Sequence, residues 1–530
     1  MGGSRAAFAG AVAVLAVGGA LVTGATFAGG SQRAKSGPRP DGETVFAERA
    51  TPPARSLPVA SAAPSAIGAW SKAIVDKTGV IGVHAVLLDT DRVLLWGPHT
   101  VTQPDGTVEN QTTASIFDPK TGATRRDDPP EDDDVFCGGA TVLGDGTVLV
   151  VGGRNYDGPM RTGDPVVLLF HPATETWTEA PNMAAGRWYP TVTELADGGA
   201  ALVAGLDQNA KPNNTVERFG PLPSTTSAVV GRMVLNATQS RYPNEFLLPN
   251  GHVFTFAGNT TNFMDPSTWK LDGGPVPLGA QYDYPNAVPL PITPGHDIHM
   301  VVYGGKAKFG ATATRLSEGI DLSSKSPKFT ALTPMPQARS NMNSVLLPDG
   351  SVLVVGGNTS SDFGTPYLQS LLYNPATDTW TPMASQALRR AYHSTAVLLP
   401  DGRVLSAGDN GPGPIAGRNR VEIYSPPYLF KGTRPSIVSA PATANRGTKI
   451  SVTTTTPIRE LVLIAPSATT HATNMHQRLV QLATAPLANG SAKGLRATVP
   501  ADGTVPPGPY MLFALDANGI PSVATWLMVH

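Results

Sequence analysis

Short apolar runs, separated by polar turns that contain glycine, recur along most of the chain. A strand, a turn and a second strand ending in Gly occur seven times, at 84–97, 140–153, 191–205, 244–258, 286–305, 343–357 and 394–408. Between several of these hairpins lies a strand followed by Asp/Asn/His-Pro and Trp, as in LFHPATETWTEAP and LYNPATDTWTPMA. The spacing of about 50 residues is the kelch-type period, so the pattern predicts seven four-stranded blades of a β-propeller.

The kelch pattern ends near Tyr424, and a different alternation follows it. Residues 434–530 contain short strand-like runs such as KISVTTTT, ELVLIAP and PYMLFAL. About 100 residues with this strand spacing are typical of an immunoglobulin-like β-sandwich. We therefore predict an all-β protein, with a seven-bladed kelch-type propeller at 66–430 and a β-sandwich at 431–530.

The N-terminus has the pattern of a targeting segment. Arg5 precedes an uncharged run of small and apolar residues, and residues 1–29 suit either a secretory signal peptide or an uncleaved signal anchor. Residues 30–65 are rich in Pro, Ser and Ala, which predicts a flexible linker. We therefore expect an extracytoplasmic protein, either secreted or anchored to the outer face of the cell membrane.

Composition excludes one class of partner and raises a question about sulfur chemistry. The 530 residues carry a formal net charge of -1 without a basic run, which argues against nucleic acid. The chain has one cysteine, Cys137, and so cannot form an internal disulfide. A lone thiol in an oxidising compartment is expected to be buried or chemically used. The nearby acidic run 127–134 predicts a solvated loop.

Four stretches contain potentially reactive Cys, Tyr or His side chains in an unusual sequence context. They are DDDVFCGG around Cys137, GRWYPTV around Tyr189, RRAYHST around Tyr392 and His393, and APSATTHATNMHQR around His471. Successive side chains on a strand point to opposite faces, so Tyr392 and His393 can serve one site only where the chain bends. Two imidazoles and two phenols form a donor set suited to Cu(II). From the residues alone, ordinary packing remains the alternative for each of them.

These motifs, in this order on kelch blades followed by a sandwich, resemble the copper radical oxidases, which include galactose oxidase and glyoxal oxidase. The wording is nearer the glyoxal oxidase branch, as in RWYPTV, VEIYSPPYLFKGTRP and TTHATNMHQR, and the resemblance covers about residues 70 to 530. It implies an enzyme that oxidises primary alcohols or small aldehydes, including those on glycans. Dioxygen would be the acceptor, and hydrogen peroxide would be released.

The resemblance also implies a role for each candidate residue. Cys137 and Tyr189 would form a thioether-linked cofactor that holds a tyrosyl radical. Tyr189, Tyr392, His393 and His471 would be the ligands of one copper ion, with a further position open to substrate. Cys137, Tyr189 and Tyr392 would be catalytic, and Tyr392 would take the substrate's proton. The sandwich would thus supply one ligand to a centre carried by the propeller.

Two details depart from the family pattern or stay open. His476 stands where the family usually has Asp before Gln-Arg, but the central position of His471 in the loop 466–475 favours His471 as the ligand. The aromatic expected to stack over Tyr189 could be Trp188 or Trp269. We expect a monomer. The alternative function is a non-catalytic cell-surface propeller that binds glycans or other extracellular partners.

Overall fold

A computed structural model describes residues 53–59, 61–102, 108–130, 133–155, 162–236, 239–258, 260–272, 276, 285–293, 298–306, 311–360, 364–409 and 418–530. All of these belong to the compact unit Pro40–His530. The predicted targeting segment 1–29 and the predicted linker up to residue 52 lie outside the described residues. Within the described ranges, no helix combines the length and apolar character needed to cross a membrane.

Seven antiparallel sheets form the blades. The chain begins with helix α1 (Pro64–Ile67), β1 (Ala69–Trp70) and β2 (Ile74–Val75). Three blades then comprise β3 (His84–Leu87), β4 (Val93–Thr102), β5 (Val108–Phe117) and β6 (Thr124–Arg126); β7 (Gly139–Val142), β8 (Val148–Val151), β9 (Val167–His171) and β10 (Thr176–Ala180); β11 (Trp188–Glu194), β12 (Ala200–Leu206), β13 (Thr215–Phe219) and β14 (Ser227–Arg232).

The next three blades comprise β15 (Asn244–Leu247), β16 (Val253–Ala257), β17 (Thr260–Asp265) and β18 (Lys270–Asp272); β19 (Asn286–Pro289), β20 (His299–Tyr303), β21 (Ser317–Asp321) and β22 (Thr330–Ala331); β23 (Ser340–Leu346), β24 (Val352–Asn358), β25 (Gln369–Asn374) and β26 (Thr379–Ser385). The seventh contains β27 (Ser394–Leu398), β28 (Val404–Gly408) and β29 (Arg420–Ser425). Strands β1 and β2 pair with β29, so the two ends of the repeat array close the ring within one sheet.

Each blade is buried on both faces, which is why its inner strands are almost wholly apolar. In β8, Val148 and Val150 belong to the core shared with Trp96 of the first blade. The alternate residues Leu149 and Val151 belong to the core shared with Leu202 of the third blade. The period of two along the strand thus fills two inter-blade cores at once.

The C-terminal region follows a 3-10 helix (Pro427–Phe430). Its strands are β30 (Ile437–Ser439), β31 (Thr443–Ala444), β32 (Lys449–Thr454), β33 (Glu460–Ile464), β34 (Ala468–Thr470), β35 (Thr473–Asn474), β36 (Leu479–Gln481), β37 (Ala483–Pro486), β38 (Gly494–Thr498), β39 (Gly508–Leu515) and β40 (Thr525–Val529). Strands β30, β32, β38 and β37 form one sheet, and β31, β40, β39, β33 and β36 form the other.

The hairpin β34–β35 belongs to neither of those two sheets. It pairs antiparallel with β3 and extends the first blade to six strands, with Thr470 opposite His84 and Ala468 opposite Val86. The segment predicted as a loop at 466–475 is therefore mostly a β-hairpin that reaches into the propeller. Residue His471 lies at its turn, between the two strands.

Ring closure depends on a close approach at Gly68, which generates a test. Gly68 has φ of 69°, and a Cβ there would overlap the Tyr424 hydroxyl, which donates to the Ile67 carbonyl. We expect Gly68→Ala to lower the free energy of unfolding by about 1–3 kcal/mol through strain and displacement of Tyr424. Gly79→Ala is the matched control, because Gly79 has φ of 83° but a Cβ at that position would meet nothing within 4 Å. Equal losses in thermal unfolding would contradict the steric role of Tyr424.

Candidate metal centre

The structure brings all five predicted site residues into one buried cluster. Cys137 precedes β7, Tyr189 lies on β11, Tyr392 and His393 precede β27, and His471 forms the turn of the β34–β35 hairpin. Their exposed fractions lie between 2% and 9%. Three blades and the C-terminal hairpin therefore each contribute to one site at the inner ends of the blades.

Oxygen, nitrogen and sulfur atoms converge within this cluster. The hydroxyl oxygens of Tyr189 and Tyr392 are 2.5 Å apart. One donor atom from each of Cys137, His393 and His471 lies within 4.8 Å of the other two, and Cys137 Sγ is 3.7 Å from His471 Nε2. Two phenols and two imidazoles in this arrangement fit the nitrogen and oxygen donors that Cu(II) takes in proteins.

The backbone is left-handed at most of these positions. The φ angles are 64° at Cys137, 67° at Tyr189, 66° at His393 and 49° at His471. Such angles cost about 1–3 kcal/mol for a residue with a Cβ and concentrate at functional sites. Their effect is to break the up-down alternation of a strand, so that neighbouring side chains can point to one side.

This backbone bend identifies the aromatic that covers Tyr189. The ring of Trp188 stacks on that of Tyr189 with centroids 4.0 Å apart and planes 16° apart. In the same way Tyr392 stacks on His393, with centroids 3.8 Å apart. Trp269 packs instead in the core beside β17. Of the two tryptophans left open by the sequence, Trp188 is the one that stacks.

Buried arginines fix the chain just before the two tyrosines. Arg187 is fully buried and donates to the Ala204 carbonyl at 2.7 Å and to the Glu217 carboxylate at 3.0 Å. Arg390 occupies the corresponding place two residues before Tyr392 and donates to the Arg420 carbonyl at 2.7 Å. A guanidinium with several backbone acceptors is a rigid anchor. The Arg-x-Tyr sequence shared by both motifs is thus explained by the anchoring of the arginine two residues before each tyrosine.

Thr470 sets the protonation of His471. The Thr470 hydroxyl donates to the Val83 carbonyl at 3.2 Å, so its oxygen is left to accept from His471 Nδ1 at 2.6 Å. With the proton on Nδ1, the lone pair of the neutral ring is on Nε2, which faces Cys137. Burial, with His393 and His84 nearby, lowers the pKa of His471 well below its usual range and keeps the ring neutral.

Sequence reasoning missed Tyr242, which contacts two of the predicted residues, Tyr189 and His471, and the residue next to Cys137. Its hydroxyl donates to the Gly138 carbonyl at 2.8 Å, and its N–H donates to the Tyr189 carbonyl at 2.9 Å. Its ring centroid is 4.7 Å from that of Tyr189 and 4.8 Å from that of His471. The sequence Arg-Tyr-Pro at 241–243 could have indicated this residue, because it resembles Arg-Trp-Tyr-Pro at 187–190.

The sequence did not indicate the surroundings of Asp134 and His476, which lie near the cluster. The prediction of a solvated acidic run is wrong for Asp134, which is buried, accepts from Thr112 at 2.6 Å, and has its pKa raised by that burial to about 7. His476 turns to the Pro466 carbonyl at 2.7 Å and to the Glu194 carboxylate at 3.1 Å. It therefore docks the hairpin against β11, and His471 is the histidine that reaches the cluster.

Comparisons with known proteins agree with this arrangement. The chain matches the family described as glyoxal oxidase N-terminus over residues 111–428, and the galactose oxidase-like early set domain over residues 434–529. It is similar to aldehyde oxidase GLOX of Vitis pseudoreticulata, with 31% identity over 75% of this chain and 82% of the relative. It is also similar to galactose oxidase of Gibberella zeae, with 27% identity over 87% of this chain and 71% of the relative.

Among solved structures, the chain resembles a fungal alcohol oxidase in complex with copper. The TM-score is 0.75 at 25% identity, and the match covers 87% of this chain and 99% of that one. The likeness therefore extends over the propeller and the C-terminal sheets together.

The tautomer argument predicts the effect of removing one hydroxyl. Thr470→Val keeps the side-chain shape but leaves His471 Nδ1 without its acceptor, so we expect Cu(II) affinity to fall by roughly 10–100-fold, as for other outer-shell partners of metal-bound histidines. Thr469→Val is the matched control, since the buried Thr469 hydroxyl on the same strand donates to the Ala85 carbonyl at 3.3 Å. Competition titration with a chelator of known affinity measures both, and equal losses would contradict the role of Thr470.

Proposed function

This chain belongs to the glyoxal oxidase branch of the galactose oxidase-like copper radical oxidases, and we propose that it oxidises primary alcohols or small aldehydes with dioxygen and releases hydrogen peroxide. The observation that carries the proposal is the convergence of two phenols, two imidazoles and one thiol in a single buried cluster. A propeller that served only as a binding module would have no need to bury this combination at the cost of left-handed backbone.

Each residue has a definite chemical task under this proposal. Copper held by Tyr189, Tyr392, His393 and His471 would supply an open position that binds the substrate oxygen, lowers its pKa and accepts one electron. Tyr392 would take the substrate's hydroxyl proton as general base. The Tyr189 ring, joined to Cys137 through a thioether, would hold the second oxidising equivalent as a radical.

The electron balance closes with dioxygen. The substrate loses two electrons and two protons, and dioxygen gains both to become hydrogen peroxide. Trp188, stacked on Tyr189, would shield the oxidised ring from solvent and from unwanted reductants. Exclusion of water by the surrounding side chains serves the same end, since every member of the cluster is buried.

The names of the relatives suggest the substrate class. One is an aldehyde oxidase and another a galactose oxidase, so small aldehydes as hydrates and accessible primary alcohols, including those on glycans, are the substrates we propose. We also propose that the protein acts outside the cytoplasm, because the apolar segment 6–29 suits export and the lone Cys137 has a use other than a disulfide.

Copper binding tests the ligand set directly. We expect one copper ion per chain after loading and desalting, and a loss of more than about 100-fold in affinity for His471→Ala, which exceeds the usual effect of an outer-shell group. His476→Gln is the control: it disturbs the contact with Glu194 and should lower thermal stability, but it should leave copper stoichiometry unchanged. If the two variants exchanged these effects, His476 would be the ligand.

Peroxide production tests the activity itself. Copper-loaded protein should release hydrogen peroxide with at least one member of a broad aldehyde and alcohol panel. Tyr392→Phe should lower turnover by about 10²–10⁴-fold through loss of the base. Cys137→Ser should bind copper but show little turnover, because it cannot form the thioether. Fully copper-loaded protein that made no peroxide with any compound would favour the binding-module alternative.

A further inference from the structure

A buried histidine outside the predicted site lies against it. His84 begins β3, is 1% exposed, and sits opposite Thr470 in the pairing between β3 and β34. Its ring centroid is 5.9 Å from that of His471. It therefore stands where the blade that receives the hairpin meets the blade that carries Cys137.

The ring of His84 accepts a hydrogen bond from the backbone of Cys137. The Cys137 N–H points to His84 Nε2 at 3.2 Å. On the other side of the same residue, the Cys137 carbonyl accepts from the Tyr189 N–H at 3.0 Å. Hydrogen bonds therefore fix both the N–H and the carbonyl of Cys137, whose backbone is left-handed. The partner of the N–H is the imidazole of His84.

Accepting this hydrogen bond at Nε2 leaves the other ring nitrogen of His84 as a buried donor without a partner in the part of the chain that the structure describes. A neutral ring that accepts at Nε2 carries its proton on Nδ1, and Nδ1 of His84 is buried without a hydrogen-bond partner among the described residues. An unmet buried donor costs about 1–3 kcal/mol. The ring is instead positioned by stacking on Trp96, with centroids 4.6 Å apart and planes 8° apart.

The neutral state of His84 agrees with its part as an acceptor. Burial, followed by the nearby His393, lowers the pKa of His84 well below its usual range. A protonated ring would present an N–H to the Cys137 N–H, and the two donors would repel. An apolar side chain of similar size would avoid the unmet Nδ1 donor, so the acceptor at Nε2 is what this position requires.

We propose that His84 is a positioning residue for cross-link formation: its Nε2 atom holds the Cys137 peptide so that the sulfur meets the ring of Tyr189. This inference rests on the proposed function. In the cross-linking step, the Cys137 S–H bond and one ring C–H bond beside the Tyr189 hydroxyl break, and a C–S bond forms. Two protons and two electrons leave, and dioxygen takes up both as hydrogen peroxide.

The test follows the rate of cross-linking, not the turnover of the finished enzyme. Protein prepared without copper is given one equivalent of copper and air, and intact mass is followed for the loss of two hydrogen atoms. Thiol labelling under denaturing conditions counts the remaining Cys137. We expect His84→Phe, which keeps an aromatic ring against Trp96 but has no acceptor, to slow the reaction roughly tenfold, as expected for one lost hydrogen bond.

A second substitution separates hydrogen bonding from packing. His84→Gln places an amide oxygen near the position of Nε2, so it should restore the rate to within about threefold of the native protein. His171→Phe, at a partly exposed histidine that ends β9, bonds Thr178 and is not a member of the cluster, controls for the substitution itself and should react at the native rate. If His84→Phe does not fold, His84→Met fills the space without an acceptor and takes its place.

The possible outcomes are distinct. Native rates in His84→Phe, or equal slowing in His84→Phe and His84→Gln, would overturn the positioning role. Loss of copper from both variants would make His84 a ligand and would also overturn it. A native protein that kept its full mass and its free thiol would refute the cross-link, and with it the proposed function, whatever the variants did. Slowing by Phe with rescue by Gln supports the inference.

Discussion

The pairing of β34 with β3 is the constraint on which the centre depends. It joins residues 84–86 to residues 468–470, nearly four hundred positions apart in the chain. The hydroxyls of Thr469 and Thr470 add bonds to the carbonyls of Ala85 and Val83, so the hairpin is fixed by side chains as well as by its ladder. His471 at its turn can approach Tyr189 and His393 only when the ring is closed and the C-terminal sheets are folded. The candidate metal centre is therefore a property of the complete tertiary structure, with no local precursor in any one blade.

The left-handed backbone is supported by hydrogen bonds that pass from blade to blade. The N–H of Tyr189 donates to the Cys137 carbonyl, and the N–H of Tyr242 donates to the Tyr189 carbonyl. Within the seventh blade, the His393 carbonyl accepts from the N–H of Asp409, which directly follows β28. Each strained residue is thus tied to a neighbouring strand whose own position is set by inter-blade cores. Contacts within the closed ring therefore offset the strain, and these same contacts bring the donor atoms together.

The repeats made the fold predictable, because a period of two within strands and of about 50 between hairpins leaves few other architectures. The bend at Tyr392 and His393 was predictable too, since two adjacent strand residues cannot otherwise face one site. The same rule made Trp188 undecidable, because the sequence does not show that Tyr189 has a positive φ. The burial of Asp134 and the acceptor role of His84 depend on partners at Thr112 and Cys137 that only tertiary structure supplies. The motifs indicated which residues are candidates for the site. The contacts that position those residues could not be predicted from the sequence.

Charge balance gives a physical reason for two phenols in the proposed copper centre. Burial lowers the pKa of His84 and of His471 and keeps both rings neutral, so these imidazoles bring no positive charge to the site. A divalent ion in such a place is costly unless negative charges accompany it. The two tyrosines would supply two such charges as phenolates, or one from Tyr392 while Tyr189 holds the radical. In the proposed reaction Tyr392 becomes neutral on taking the substrate's proton, and the deprotonated substrate oxygen replaces the charge that is lost. The net charge of the buried centre then stays constant through proton transfer. A separate carboxylate base would also conserve charge during proton transfer, but it would add a negative charge to the buried centre beyond those that the tyrosines supply.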